Sequence, residues 1–446
     1  MRNSPEHYIQ TVQDHFAQFP SSLAGETVLK AATIGVSPTA LLTTNQDGKD
    51  TAFQRWFHFK EAFSPSFVTA AINSLGYRPD HIIDPFGGSG TTAITAQLLG
   101  IDATTLEVNP FIADVIQAKV SHLTAEKLRH SSAEFHALLT QTPSNLDRLD
   151  HWPPTFIETE EKKRWIFSKE IAGRLSQYLA CIAAIEEEDV QRFFKIVLGS
   201  VLVDCSNVYV NGKGRRYRGG WEENESTAAS LDKMFGKQFN VAFEDVLRFQ
   251  NRPNANIHVV HGDTRTALAE VTRSADLIIF SPPYPNSFDY TDIYNVELWV
   301  LGYINCSKDN LSLRRDTLRS HVQISRAYEM PRHTSICLNN TMDALQLNRD
   351  RLWDNNIPAM IGAYFHDLEI VMNNCQRLLT KRGKVMMVVG DSRYVDVRIE
   401  VATIIAEIAR SMGFGKVSTR EVRKMRASSQ QGGHLQLAES IVELGL

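Results

Sequence analysis

The chain is poor in cysteine, and none of its five is arranged for metal or redox work. Cys181, Cys205, Cys306, Cys337 and Cys375 stand apart with no C-x-x-C pair, so they frame neither a disulfide scaffold nor a zinc site. No apolar run approaches the roughly 18 residues that a membrane span needs. The opening MRNSPEHYIQTVQDHFAQF has no basic stretch leading into an apolar one, so no secretory signal is expected there. Neither sign of charge dominates: 47 Lys and Arg against 51 Asp and Glu leave −4. That balance speaks neither for nor against a polyanionic partner, because an enzyme needs only a basic cleft. Internal repeats and low-complexity tracts are missing as well. What remains is a protein expected in a reducing, cytoplasmic setting, without metal and without membrane.

With 446 residues, 43% of them hydrophobic and 22% charged, the composition is that of an ordinary globular protein with room for two or three domains. Residues 1–50 read as a helical N-terminal segment ending in the polar connector TTNQDGKD. From 81 the pattern becomes strand (HIID), glycine-rich turn, helix (TTAITAQLLG, ended by Gly100) and strand (DATTLE, closed by Glu107). This is a βαβ start whose loop lies at the carboxyl end of a strand, where open α/β sheets bind ligands. From about 110 to 250 the apolar spacing is helical, broken by HWPPT and by VNGKGRRYRGGW. Strand patterns return in NIHVVHGD, DLIIFSPPY and GKVMMVVGDS, the last preceded by a long helix over about 357–380. After the helix IEVATIIAEIARSMG, two strand-like stretches around ASSQQGGHLQ predict a hairpin finishing the sheet. The expected division is an N-terminal segment (1–50), an α/β domain (51–110 and 251–446) and a helical insertion (111–250).

Two short motifs carry the chemistry, Asp84-Pro85-Phe86-Gly87-Gly88-Ser89-Gly90-Thr91-Thr92 and Ser281-Pro282-Pro283-Tyr284, each after an apolar β run. The glycines of the first let backbone approach a ligand closely, while Ser89 and Thr91 supply hydroxyls and Asp84 an acceptor. No lysine follows the last glycine and no G-x-G-x-x-G spacing is present, which argues against a phosphate-binding loop and a dinucleotide site. Glu107 ends the next strand where it can accept from two ribose hydroxyls. A structural tight turn is the plain alternative. In the second motif, Ser281 Oγ and the Pro282 carbonyl can accept hydrogen bonds from a planar amino group, the two prolines stiffen the loop, and Tyr284 offers a face for a base. A proline-rich turn capping a strand is the plain alternative there.

Together the motifs resemble those of the S-adenosylmethionine-dependent amino-methyltransferases that act on exocyclic nitrogens of nucleic-acid bases. The resemblance implies a Rossmann-like class I methyltransferase fold, a doubly wound α/β sheet with a terminal antiparallel hairpin, here with a mainly helical insertion. It implies contacts from Asp84, Phe86, Gly88 and Gly90 to the methionine part of S-adenosyl-L-methionine, with Pro85, Ser89, Thr91 and Asn109 in the same site. Glu107 would meet the ribose and Asp263, in HGD, the adenine amino group. Phe59, Lys60 and Phe63, in RWFHFKEAFSPSFV, are looser candidates for the methionine end. Ser281, Pro282, Pro283 and Tyr284 would be catalytic, and Phe288, Asp289, Tyr290, Tyr294, Glu297 and Trp299 would line the base pocket or, for most of them, pack its rim. A serine at the first position of S-P-P-Y leans toward cytosine N4 in DNA, with adenine N6 as the alternative and a non-catalytic nucleic-acid-binding subunit as the reading of another class. Carbon-5 methylation is disfavoured because no cysteine follows a proline. The insertion is the expected place for target contacts, with Lys213, Arg215, Arg216 and Arg218 for phosphates and Tyr217 and Trp221 for stacking. The other basic runs, 314–326 and 420–426, are either nucleic-acid contacts or solvated faces. No nuclease motif is evident, so any restriction endonuclease partner is expected as a separate protein.

Overall fold

A computed structural model describes residues 51–446 apart from 60–61, 162, 212–213, 224–225 and 427–435. The expected N-terminal helical segment (1–50), Lys60, Lys213 and most of the ASSQQGGHLQ loop therefore lie outside the described residues. The first half of the α/β architecture comprises α1 (Pro65–Asn73), β1 (His81–Asp84), α2 (Thr91–Leu98), β2 (Asp102–Glu107) and α3 (Pro110–Val120). Two of these three helix starts are capped by a side chain ahead of a proline: Ser64 accepts from Phe67 N before Pro65, and Asn109 accepts from Phe111 N and Ile112 N before Pro110. Gly100, at φ +67°, ends α2 in the left-handed conformation that glycine adopts cheaply.

Between β2 and the next strand of the main sheet come α4 (Ala125–Gln141), α5 (Lys169–Ala183), α6 (Glu188–Gly199), an antiparallel ribbon β3 (Val208–Asn211) with β4 (Gly214–Tyr217), and α7 (Ala228–Arg248). The arginine- and glycine-rich stretch read as a break is thus, in its described part, a ribbon. The sheet continues with β5 (Ile257–His261), α8 (Thr264–Glu270) and β6 (Ala275–Phe280). Short helices α9 (Tyr290–Ile293), α10 (Asn295–Val300), α11 (Ser307–Asp316) and α12 (Ile336–Leu347) lead to α13 (Ile357–Leu378) and β7 (Leu379–Gly390). A small ribbon, β8 (Ser392–Tyr394) with β9 (Val397–Ile399), precedes α14 (Val401–Ser411) and the closing strands β10 (Lys416–Arg426) and β11 (Gln436–Gly445).

The main sheet has seven strands in the order β10-β11-β7-β6-β1-β2-β5. The five strands from β7 to β5 are parallel, and β11 pairs antiparallel with both β7 and β10. This is the expected doubly wound, Rossmann-like α/β class with its terminal hairpin. Alternation in the central strands sorts side chains to two buried faces. Ile82, Leu277, Ile279, Met386 and Val388 pack with α1 residues Phe67, Val68 and Ala71, whereas Ile83, Ile278, Phe280, Val385 and Met387 pack with α13 and α14. Strands covered on both faces read as continuous apolar runs, which is how DLIIF and VMMVV look in the sequence.

The helical region does not sit apart. One apolar cluster runs from Phe53 and Trp56 through Phe111, Phe135, Phe167, Phe194 and Phe239 to Trp299 and Leu313. Asp245 of α7, fully buried, ties it down by accepting from Phe53 N (2.8 Å), Arg55 Nη2 (2.6 Å) and Trp56 Nε1 (3.0 Å).

Candidate active site

Strand order reverses between β1 and β6, and such a switch point leaves a crevice outside the carboxyl ends of the two strands. Asp84 closes β1 and Ser281 follows β6, so the two motifs, far apart in sequence, flank one crevice. They share a cavity of about 740 Å³, within the range of small-molecule sites. Asp84, Pro85, Phe86, Gly88, Ser89, Thr91, Glu107, Asn109 and Asp263 line it, and so do Ser281, Pro282, Pro283 and Tyr284. Gly90 turns elsewhere: at φ +82° it faces Ile116 of α3, where an added Cβ would come within 3.0 Å of that side chain. Gly88, at φ +49°, faces Phe59, which lines the cavity together with Phe63.

The polar groups of the glycine-rich side are braced from below. Glu107 accepts from Gly88 N and Asn109 N, both at 2.9 Å, so its two oxygens are fixed at the cavity wall. Burial pushes both Asp84 and Glu107 up to about 7; amide hydrogen bonds oppose this in each, and the Asp84 charge adds to the rise of Glu107. Ser89 Oγ is buried with no hydrogen-bond partner among the described residues, whereas Thr91 Oγ1 donates to Gln54 Oε1 at 3.3 Å. Asn109 spends its Oδ1 on the α3 amides. Asp263 is gripped by Arg265, with Nη2 at 2.7 Å, and Arg265 in turn reaches Asp367 at 3.3 Å. Two braced carboxylates and the glycine-rich backbone are thus what this side of the cavity presents to a ligand.

Ser281 Oγ donates to Val388 O of the neighbouring strand at 3.0 Å. That bond uses the hydroxyl proton and leaves oxygen lone pairs for the cavity, so Ser281 is set up as an acceptor. Tyr284 is held through its hydroxyl, which donates to Glu439 Oε1 at 3.1 Å, and Glu439 is itself clamped by Arg423 Nη2 at 2.8 Å. Burial, followed by the Glu439 charge, raises the Tyr284 pKa well above 10, keeping the phenol neutral. Phe59 and Tyr294, both lining the cavity, stack with centroids 5.6 Å apart and planes 8° off parallel.

Of the six pocket candidates between 288 and 299, Phe288, Tyr290 and Tyr294 line the cavity, while Asp289, Glu297 and Trp299 are buried in packing. Sequence reading missed Glu439, Arg423, His321 and Lys119. Lys119 is fully buried and donates from Nζ to Ser89 O at 2.7 Å, and burial lowers its pKa to about 7. Glu439 did leave a trace, a charge within the apolar alternation of LAESIVELGL. His321 left none.

The basic runs divide. Arg216 is exposed; Arg215 is half-buried over the Phe156 ring at 5.7 Å, and Arg218 donates to Val203 O and Ser206 O. In 314–326 Arg315 is exposed but the other three arginines turn inward: Arg314 pairs with Asp289 (2.9 Å) and Arg319 with Asp367 (2.6 Å), while Arg326 donates to Thr317 O (2.8 Å). That run is a wall of the site rather than a solvated face. The third run lies on β10, the sheet's edge strand, where charge discourages further strand pairing. Among the described residues no helix is long and apolar enough to cross a membrane, and no group of three or more His, Cys, Asp or Glu side chains is placed to hold a metal ion.

No family model matches the chain. It is similar to the Type II methyltransferase M.BsoBI of Geobacillus stearothermophilus, 26% identical over 457 aligned positions that span 90% of this chain and 87% of that one. The Type II methyltransferases M.AvaI of Nostoc sp. and of Anabaena variabilis are each 26% identical over 419 positions, 87% of this chain and 85% of theirs. Among solved structures, the rRNA methyltransferase aviRa from Streptomyces viridochromogenes pairs 94% of this chain with 95% of its own, at 9% identity and a TM-score of 0.26 that carries no argument. The chain is thus similar to Type II methyltransferases across most of its length.

Proposed function

We propose that this protein is a site-specific DNA methyltransferase that moves a methyl group from S-adenosyl-L-methionine to an exocyclic base nitrogen, cytosine N4 in our reading. The observation that carries it is the convergence of the glycine-rich loop and the S-P-P-Y loop on one cavity, at the switch point of the sheet. Similarity to Type II methyltransferases over about nine-tenths of the chain supports the same class. In this reading Asp84, Phe86, Gly88 and Ser89 hold the methionine end of the cofactor, Glu107 its ribose and Asp263 its adenine.

The cofactor supplies an electrophilic methyl on a sulfonium. An exocyclic amino nitrogen is a poor nucleophile because its lone pair is delocalised into the ring. Ser281 Oγ and the Pro282 carbonyl accept from its two N–H groups, which lets the nitrogen pyramidalise and fixes its direction, chiefly an orientation effect. Tyr284 stacks on the extruded base. Exposed Arg216, on the ribbon whose Gly214 meets Asp292 of α9, is suited to a substrate phosphate beside the pocket. Any cleaving partner is a separate endonuclease, and the setting is cytoplasmic.

Mass spectrometry of nucleosides from unmethylated DNA incubated with the protein and labelled S-adenosylmethionine tests the proposal. Labelled N4-methylcytosine, lost in Ser281→Ala with cofactor binding retained, is the expected result. N6-methyladenine would keep the reaction class and overturn the base. No labelled nucleoside would favour a nucleic-acid-binding subunit without activity.

A further inference from the structure

From S-P-P-Y onward the loop alternates. Tyr284, Asn286, Phe288 and Tyr290 line the main cavity, while Pro285, Ser287 and Asp289 between them are buried. Asn286 N donates to Tyr284 O (2.8 Å), closing a three-residue turn about Pro285, and the Tyr394 hydroxyl donates to Pro285 O (3.1 Å). Ser287 stands at φ +58°, in the left-handed region that costs a non-glycine residue free energy. Three bonds hold it there: Ser287 N donates to Ser320 O (3.0 Å), Val322 N to Ser287 Oγ (3.3 Å) and Gln323 Nε2 to Ser287 O (2.8 Å). Strain persists only where the surroundings over-determine it, and such places cluster at ligand sites. The side chain that this pinned turn presents to the cavity is Asn286.

Asn286 is exposed as well as lining the cavity, so a ligand there can reach its amide. Its Oδ1 accepts from Phe288 N at 3.2 Å. A backbone N–H can only donate, so the atom facing it is the oxygen. Nδ2 is left with two hydrogens and no partner among the described residues. The other cavity residues of the alternation are aromatic, flat faces for a base with one amide donor among them. We propose that Asn286 is a specificity-determining residue whose Nδ2 donates to the ring nitrogen bordering the reacting amino group, N3 in cytosine or N1 in adenine. This rests on the amino-methyltransferase reading of the site. Ser281 Oγ and the Pro282 carbonyl, acceptors on the same loop, take the amino hydrogens, and in cytosine the one acceptor next to that amino group is N3. Thymine presents N3–H there, donor against donor. The amide cannot turn over to accept that hydrogen without setting Nδ2 against Phe288 N–H.

The test is a cycle of two enzymes on two substrates: wild type and Asn286→Asp, each on duplexes carrying either the natural target base or its 3-deaza (cytosine) or 1-deaza (adenine) analogue. Aspartate keeps an acceptor for Phe288 N, and with it the turn, but sets an acceptor against the ring nitrogen. On the natural base Asn286→Asp should lose on the order of tenfold or more in kcat/KM, with S-adenosylmethionine binding by calorimetry unchanged. On the analogue, which lacks the ring acceptor, the two enzymes should turn over alike. The comparison is between enzymes on one substrate, because removing the ring nitrogen also changes the nucleophilicity of the amino group. If Asn286→Asp matches wild type on the natural base, Asn286 serves only the turn and the proposal is wrong. An equal loss on both substrates overturns it too, and in either case the methyltransferase reading survives. If wild type methylates no natural base, that reading fails and the assignment of Asn286 fails with it.

Discussion

At the residue scale the two cavity carboxylates are the most informative groups, because their protonation is coupled to the charge of what they hold. Burial raises Asp84 and Glu107 to about 7 in the free protein. Below that pH each is increasingly neutral in the folded chain, and above it each is ionised at the cost of buried charge. A cationic sulfonium relieves that cost, so its affinity should be high above pH 7 and fall as pH drops through it. Calorimetric titration with S-adenosylmethionine should show weaker binding at pH 5.5 than at pH 7.5, on the order of tenfold, and Glu107→Gln should flatten part of the dependence while weakening binding at pH 7.5. Wild-type affinity unchanged across that interval would remove these carboxylates from cofactor contact.

At the scale of elements, Asp245 shows how the helical region positions the cofactor side. It fastens residues 53–56, the stretch leading to the cavity residues His58 and Phe59, to α7. Asp245→Ala would leave a backbone N–H and an indole N–H without this acceptor and would remove the shortest ion pair of Arg55, which keeps Glu244 at 3.5 Å, at a cost of about 3 kcal/mol. A urea titration should show a lower midpoint at unchanged slope, and Asp245→Asn should restore part of the difference. No sequence pattern announces this anchor, since it joins residues about 190 apart. The central strands and long helices were legible because periodicity is a local signal, and the paired motifs were legible because each closes an apolar run. The run 314–326 was not: whether an arginine faces water or Asp367 depends on tertiary partners that spacing does not encode. For the same reason the contacts by which Glu439 and Val388 orient Tyr284 and Ser281 emerged only with the β11–β7 pairing.

At the scale of the whole molecule, the question is whether the helical region behaves as an independent unit. The apolar cluster that includes α4–α7 also takes in Phe53, Trp56 and Phe111 from before and after β1, and Tyr294, Trp299 and Leu313 from beyond S-P-P-Y. Apolar area shared between two chain regions couples their unfolding, because neither can open without exposing the other's core to water. Calorimetric heating should therefore show one transition for the described body of the chain, with van't Hoff and calorimetric enthalpies in agreement. Saturating cofactor, at about 100 times its dissociation constant, should move that whole transition by about 2.7 kcal/mol of added stability. A self-contained insertion would behave otherwise, giving a second transition indifferent to cofactor, and residues 125–248 expressed alone would then fold. With one shared core, the same fragment should instead be unfolded by circular dichroism, since Phe111, Tyr294 and Trp299 would be missing from the surface it buries.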